Sequence, residues 1–292
     1  MTVVVRTPAS SANLGPGFDA LGLALGLFDE LRAERLDAPD GTLEVVVRGE
    51  GEGEVPLDAS HLVVRAMDAA FDLMNLPRPA LRLTCENAIP HGRGLGSSSA
   101  AIVGGIVLAR ALVEIGPQLL DDLAAYQLAN DLEGHPDNVA AALFGGLTIA
   151  WLEGAAVDVL RLDVRHDVTV FVPPTPLSTE AARGLLPETV SHREAAANAG
   201  RAALLVAALT SAPDRLLSAT EDFLHQSQRS GAMPDSHRLL RRLRVEDVPA
   251  VVSGAGPTIL AFATGLESRV PEGWRHLELP VSPVGAHVVT TD

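Results

Sequence analysis

The chain has 292 residues, 47% hydrophobic and 20% charged, the profile of a globular protein long enough for two domains. A formal charge of -15, from 37 acidic residues against 22 basic ones, argues against nucleic acid or an anionic membrane as the main partner. Every basic side chain apart from histidine is arginine, and without lysine neither Schiff-base chemistry, pyridoxal phosphate catalysis nor a Walker-type phosphate loop is possible. The single cysteine, Cys85, excludes an internal disulfide and fits a reducing compartment. Met1 to Arg6 lacks the apolar core of a signal peptide, and no apolar run approaches the ~20 residues a bilayer requires. A soluble cytoplasmic protein is the expectation.

Val3-Val4-Val5 reads as a short buried strand leading into a polar loop, Thr7 to Asp19, punctuated by Gly15-Pro16-Gly17. That loop is either a wide turn in which Asn13 and Asp19 satisfy local backbone groups, or the lining of a ligand site. Ala20 to Leu27 and Leu43 to Arg48 read as strands, and the acidic stretch Gly49 to Glu54 as a solvated connection. His61 to Leu76 has helical spacing, with Val63, Val64, Met67, Phe71 and Met74 on one broad face. Ala80 to Thr84 alternates like a strand and delivers the chain to its most distinctive stretch.

That stretch is Pro90-His91-Gly92-Arg93-Gly94-Leu95-Gly96-Ser97-Ser98-Ser99, followed by an apolar run from Ala100 to Glu114. Glycines at alternate positions allow a left-handed backbone and close approach to a ligand. A serine is expected to cap the helix that follows, whose free N–H groups and positive dipole end form an anion site, most naturally for phosphate. A tight structural turn is the alternative. The spacing fits neither the Rossmann fingerprint nor the protein-kinase signatures. With so acidic a chain, a bound polyphosphate needs backbone N–H groups, a few arginines and a divalent metal to balance it.

Gly116-Pro117 is expected to stop this helix, and Asp121 to Leu132 to form the next. Glu133-Gly134-His135-Pro136-Asp137-Asn138 then crowds two acids, a histidine and an amide into one turn. This is either an Asx-type turn between helices or a site in which Glu133 ligates Mg2+, which takes one or two carboxylates plus phosphate oxygens. Zinc spacings are absent. Gly146 to Trp151 and Val157 to Val164 read as strands closing the first half.

The second half opens near His166 with a strand, Val168 to Val172, and a proline-rich turn into a helix holding Arg183, capped by Ser178 or Thr179. Arg201 to Leu217 and Ala219 to Arg229 read as helices, and Arg238 to Arg244 as an amphipathic surface helix. Val248 to Val252, Ser253-Gly254-Ala255-Gly256-Pro257-Thr258 and Ile259 to Ala263 spell strand, glycine turn, strand.

Three stretches in this order, Pro8 to Asp19, Pro90 to Ala100 and Ser253 to Thr258, resemble the three signature motifs of the GHMP kinase superfamily. Glu133 to Asn138, Leu177 to Arg183, and Arg229 preceded by Asp222 and His225 point within it to the branch that phosphorylates L-homoserine. The resemblance covers nearly the whole chain. It implies an α+β, two-domain GHMP kinase fold, with an N-terminal α+β nucleotide-binding domain (1–165) and a C-terminal ferredoxin-like domain (166–292). It implies ATP- and Mg2+-dependent phosphorylation of the side-chain hydroxyl of L-homoserine, a step toward threonine, by a cytoplasmic homodimer. By position, Pro90 to Ser99 would wrap the triphosphate and Ser98 and Glu133 would hold Mg2+. Asn13, Asp19, His135, Asn138, Thr179, Arg183 and Arg229 would match the substrate site. Relatives carry more residues between the metal glutamate and the histidine than the single Gly134 here.

The residue chemistry is compatible. A planar arginine fork at Arg183 or Arg229 suits an amino acid's carboxylate, and Asp19 can accept from its ammonium. Phosphoryl transfer asks mainly for alignment, so either Asn138 positions the hydroxyl or Asp137 acts as base, and the first is favoured. A kinase for another small alcohol (mevalonate, a sugar or threonine) and a non-catalytic metabolite sensor of the same fold are the competing readings.

Overall fold

The computed structural model describes residues 1–289. In chain order its strands are β1 (Thr2–Ala12), β2 (Leu21–Arg35), β3 (Leu43–Gly49), β4 (Leu81–Asn87), β5 (Leu147–Glu153), β6 (Ala156–Leu162), β7 (Asp167–Val172), β8 (Ala250–Val252), β9 (Ile259–Ala261), β10 (Arg275–Pro280) and β11 (His287–Val289). Its helices are α1 (Leu62–Leu73), α2 (Ser97–Ala111), α3 (Gly116–Leu119), α4 (Asp122–Glu133), α5 (Pro136–Phe144), α6 (Thr179–Arg183), α7 (His192–Thr210), α8 (Leu216–Ala219) and α9 (Pro234–Val245).

Two sheets organise these elements. The larger runs β11-β1-β2-β4-β3, with the β5–β6 hairpin joined to the start of β2. Helices α1, α2, α4 and α5 cover it, burying Val5, Leu31, Leu83, Met67, Phe71, Ile106 and Tyr126 in one core. As its all-round apolar sequence predicts, α2 lies at the centre. A side chain at Gly104 would come within 2.5 Å of Leu31, and one at Gly105 within 2.6 Å of the Val63 carbonyl. The helix is therefore wedged between sheet and α1, and its N-terminal tip is held rigidly. The smaller sheet runs β10-β7-β9-β8, all antiparallel, the fourth, first, third and second of its strands in chain order. This is the ferredoxin-like arrangement.

A second core joins the sheets, with Ala9, Leu23 and Leu25 packed with Val170, Leu260, Leu205 and Leu209. The last described strand, β11, returns to pair with β1 in the larger sheet.

Several local expectations are corrected. The polar loop at Thr7 begins later, because β1 continues to Ala12, and its buried Ser10 and Ser11 are satisfied by hydrogen bonds. The strand at Ala20 is the first half of the 15-residue β2. Gly96, at φ 69°, stands at the N-cap of α2 in place of a serine, and α2 ends at Ala111. Gly116-Pro117 opens the short α3 rather than only ending α2. Helix α7 lies nine residues earlier than Arg201, started by a Ser191/Glu194 capping box. The stretch Ala219 to Arg229 is not a helix. The Asp222 carboxylate accepts from the N–H groups of Leu224, His225 and Gln226, giving the backbone a local alternative to helical bonding.

Candidate active site

The glycine loop before α2 is clamped by both other motifs. Ser10 N–H donates to the Leu95 carbonyl at 3.0 Å, and Gly254 N–H to that of Ala12 at 3.1 Å. Ser253 Oγ donates to the Gly94 carbonyl at 2.6 Å. Gly94, at φ +77°, lies so close to the 253–256 turn that a Cβ would sit 2.3 Å from the Ser253 carbonyl oxygen. Only glycine fits there. The three motifs, separated by up to about 240 residues of sequence, are one structural unit around the tip of α2.

Against that tip lies a cavity of about 200 Å³. It brings together Asn13, Asp19, Gly92, Gly94, Gly96, Ser97, Ser98, Glu133, His135, Asp137, Asn138, Thr179, Arg183 and Arg229, all singled out from sequence. Glu133, the last residue of α4, accepts from Ser98 Oγ and Ser99 Oγ, each at 2.7 Å. Gly134, left-handed at φ 89°, then turns the chain so that α5 can begin two residues later. A hydroxyl and a carboxylate at the N-terminus of a helix are the hard oxygen donors that Mg2+ prefers alongside phosphate oxygens. Ser98 and Glu133 therefore fit that ion despite the short connection to His135.

In the first turn of α5, buried Asp137 accepts from the Asn138 N–H at 2.8 Å and lies 3.5 Å from His135 Nδ1. That carboxylate raises the His135 pKa against the opposing effect of burial. Asn138 Oδ1 accepts from Ser10 Oγ at 2.9 Å, which leaves its amide N–H groups for the cavity. Asn13, at φ 64°, uses both ends of its amide locally: Nδ2 donates to the Gly254 carbonyl, and Oδ1 accepts from the Asp19 N–H, each at 2.9 Å. Asn13 thus lines the cavity while shaping two of its walls.

The pocket's two arginines stand together with Asp19. Arg183 and Asp19 form a two-point pair at 3.0 and 2.6 Å, and this contact raises the Arg183 pKa. Arg229, only 1% exposed, has no carboxylate partner among the described residues. Its Nε donates to the Ala182 carbonyl at 3.2 Å and its Nη1 lies 3.2 Å from His225 Nδ1, with Phe18 beneath both guanidinium groups. Burial, then Arg183, lowers its pKa. A buried cation without a counter-ion, facing a cavity, is a seat for an anionic group. Thr179 opens α6, capped by Ser178, whose Oγ accepts from Ala181 N–H at 3.1 Å.

Other loop residues face elsewhere. Arg93 spends its guanidinium on the carbonyls of His91, Pro173 and Pro174, bolting the loop to the end of β7. Pro90 and Leu95 are packed against protein, and Ser99 is buried on Glu133. His91 lines a second cavity of about 300 Å³ on the far side of the loop. That cavity is largely apolar, walled by Leu31, Val55, Pro56, Leu62, Val63 and Ala101, with Asp29, Ser60 and His61 at its polar end. Ser97 and Ser98 are common to both cavities. Sequence reasoning found neither this cavity, nor Phe18, nor Ser10. Scattered apolar residues on β2, α1 and α2 leave no spaced signature, and only folding collects them.

The family described as GHMP kinases N terminal domain matches residues 61–146, from α1 to the glycine pair after α5. Homoserine kinase of Streptomyces avermitilis is 51% identical over 294 aligned positions, covering 98% of this chain and 95% of that protein. Homoserine kinase of Clavibacter michiganensis is 48% identical, covering 99% of this chain and 95% of its own length. The crystal structure of homoserine kinase from Cytophaga hutchinsonii superposes with a TM-score of 0.83 at 23% identity, covering 99% of this chain and 97% of that one.

Proposed function

The chain belongs to the homoserine kinases of the GHMP kinase family, and from that premise we propose how its own residues carry out the reaction. It uses ATP to phosphorylate the side-chain hydroxyl of L-homoserine, a step toward threonine. The observation that carries the mechanism is the wall shared by the two cavities. The tip of α2, at Ser97 and Ser98, separates a polar pocket from an apolar one.

In this reading the adenine base occupies the apolar cavity and the triphosphate crosses the shared wall on the N–H groups of Ser97, Ser98 and Ser99. The amino acid occupies the polar pocket. Its carboxylate meets Arg229, the buried cation lacking a counter-ion, and Arg183. Its ammonium takes over Asp19, so the zwitterion replaces each half of the Asp19–Arg183 pair. Ser98 and Glu133, now hydrogen-bonded to each other, would hold Mg2+, which would supply charge neutralisation at the transferred phosphoryl group. Asn138, with Oδ1 engaged by Ser10, donates to the hydroxyl oxygen and aligns it. Asp137 is tied to the Asn138 N–H and faces His135, which supports a positioning role for this turn over a base. We propose a division at 165/166, supported by strands β1–β6 lying in one sheet and β7–β10 in the other, with β11 crossing back to the first. Localisation in the cytoplasm is supported by the lone buried Cys85, and assembly as a homodimer is testable by sedimentation.

The test is ADP release by purified protein across L-homoserine, threonine, mevalonate and sugars, with Mg2+ titrated. Homoserine-dependent, Mg2+-dependent turnover is expected. Turnover independent of homoserine, or saturation without a divalent ion, would refute the assignments of substrate or metal respectively.

A further inference from the structure

Arg229 faces an unusual neighbour. Its Nη1 lies 3.2 Å from Nδ1 of His225, a side chain with no exposed surface. Two cations at that separation in a dry interior would repel strongly. The geometry on the other side of the ring removes the conflict. His225 Nε2 lies 2.8 Å from the Gly15 carbonyl oxygen, which can only accept, so the ring proton sits on Nε2 and Nδ1 offers a lone pair to Arg229. Gly15 cannot drift away: at φ +84°, a Cβ there would already lie 3.0 Å from Val251 and 3.1 Å from the Thr220 carbonyl. The first motif thus fixes a tautomer, and the tautomer fixes a guanidinium on the other sheet's side of the cleft.

We propose that His225 is a positioning residue: as a neutral acceptor it turns Arg229 toward the carboxylate of the bound amino acid. This rests on the assignment of that carboxylate to Arg229. The charged groups around His225 are Arg229, Asp222, whose Oδ1 is 3.7 Å from Nε2, and Asp19. Burial first, and Arg229 as well, hold its pKa below the usual histidine range, against Asp222 and the Gly15 carbonyl. Forced protonation would put an N–H against an N–H and swing Arg229 out of register.

The experiment compares His225→Leu, which removes the acceptor, with His225→Asn, which keeps one on the Arg229 side without a titratable ring. Loss of a hydrogen bond to a charged group predicts a rise of about tenfold in the homoserine KM of His225→Leu, against less than about threefold for the ATP KM and kcat. His225→Asn should recover most of the loss, and a rise in homoserine KM toward acid pH, expected in wild type, should flatten in it. Equal homoserine KM values in all three proteins, or equal rises for homoserine and ATP, would overturn the proposal. Should His225→Leu fail to fold, the pH comparison of His225→Asn with wild type still decides it. Arg229→Ala separates the two readings. If it leaves homoserine KM unchanged, the carboxylate assignment falls. If it raises KM while the His225 variants do not, only the positioning role falls.

Discussion

The two cavities on either side of Ser97 and Ser98 handle charge in opposite ways. The polar pocket holds Asp19, Glu133, Asp137, Arg183 and Arg229 in a space of about 200 Å³, and each engages a partner within the protein. Asp19 and Arg183 neutralise each other, Glu133 takes two serine hydroxyls, and Asp137 takes a backbone N–H. Arg229 is the cation without a carboxylate partner among the described residues, its guanidinium meeting the Ala182 carbonyl, His225 and the Phe18 ring. The apolar cavity contains one buried acid, Asp29, held by the N–H groups of Ala88 and Ile89 at 2.7 and 2.9 Å, with no ion-pair partner among the described residues. On the proposed function, the first pocket would exchange charged partners with the amino acid, and the second would offer a largely apolar surface to the adenine base.

Removing the unmatched cation should break the contrast most severely. Arg229→Ala is expected to raise the homoserine KM about 100-fold, equivalent to roughly 3 kcal/mol of a buried charge-assisted contact, with the ATP KM almost unchanged. Steady-state kinetics with each substrate varied in turn checks this. Glu133→Gln comes next. Replacing one anionic ligand should raise the Mg2+ concentration for half-maximal activity about tenfold or more, measured by Mg2+ titration at fixed ATP. An unchanged Mg2+ requirement would remove Glu133 from the metal site.

How much of this contrast was legible in the sequence follows from what each pocket is made of. The polar pocket is assembled from residues that stand out because their chemistry is costly to bury: Asp19, Glu133, Asn138, Arg183 and Arg229 all line it. The loop Gly92 to Ser99 was legible for a second reason: alternate glycines before a helix suggest close backbone approach to a ligand, with a tight turn as the alternative until the other two motifs are read with it. The apolar cavity is made of Leu31, Val55, Leu62 and Val63, residues indistinguishable by type from the core that surrounds them. Arg93 shows the converse error. An arginine in a phosphate loop reads as a phosphate ligand, yet three backbone carbonyls hold it away. Local competition misled the reading at Ala219 to Arg229, where apolar spacing suggests a helix and one buried carboxylate, Asp222, unwinds it. The two-sheet architecture was accessible only through the resemblance of three ordered motifs to a known family; local patterning marked no more than the buried α2 and the short runs β8 and β9 flanking a glycine turn.

A smaller effect should come from crowding the apolar side. Ala101, half-buried on α2, lines only the apolar cavity, so Ala101→Leu should raise the ATP KM about fivefold and leave the homoserine KM alone, a cost near 1 kcal/mol. Equal changes in both would mean that the cavities are not separate subsites.

The least effect on turnover, and the sharpest on stability, belongs to Asp29. Burial pushes its pKa up to about 6, against the lowering effect of the Ala88 and Ile89 N–H groups. A carboxyl whose pKa is higher in the folded state binds its proton more tightly there than in the unfolded chain. Between about pH 4 and 6 the folded state therefore holds more protons, and wild type loses stability as pH rises through that window. Above it the full cost of the buried charge is present, and below it none is. Asp29→Asn keeps an oxygen for the two N–H groups and carries no charge at any pH. It should match wild type near pH 4 and exceed it by about 1–2 kcal/mol at pH 8, less than the roughly 3 kcal/mol the pKa change allows, because charge-assisted bonds are lost. Denaturant melts at the two pH values measure the difference. A gap of the same size at both would mean that the carboxylate is compensated in its pocket and that the apolar cavity tolerates charge as readily as its polar neighbour.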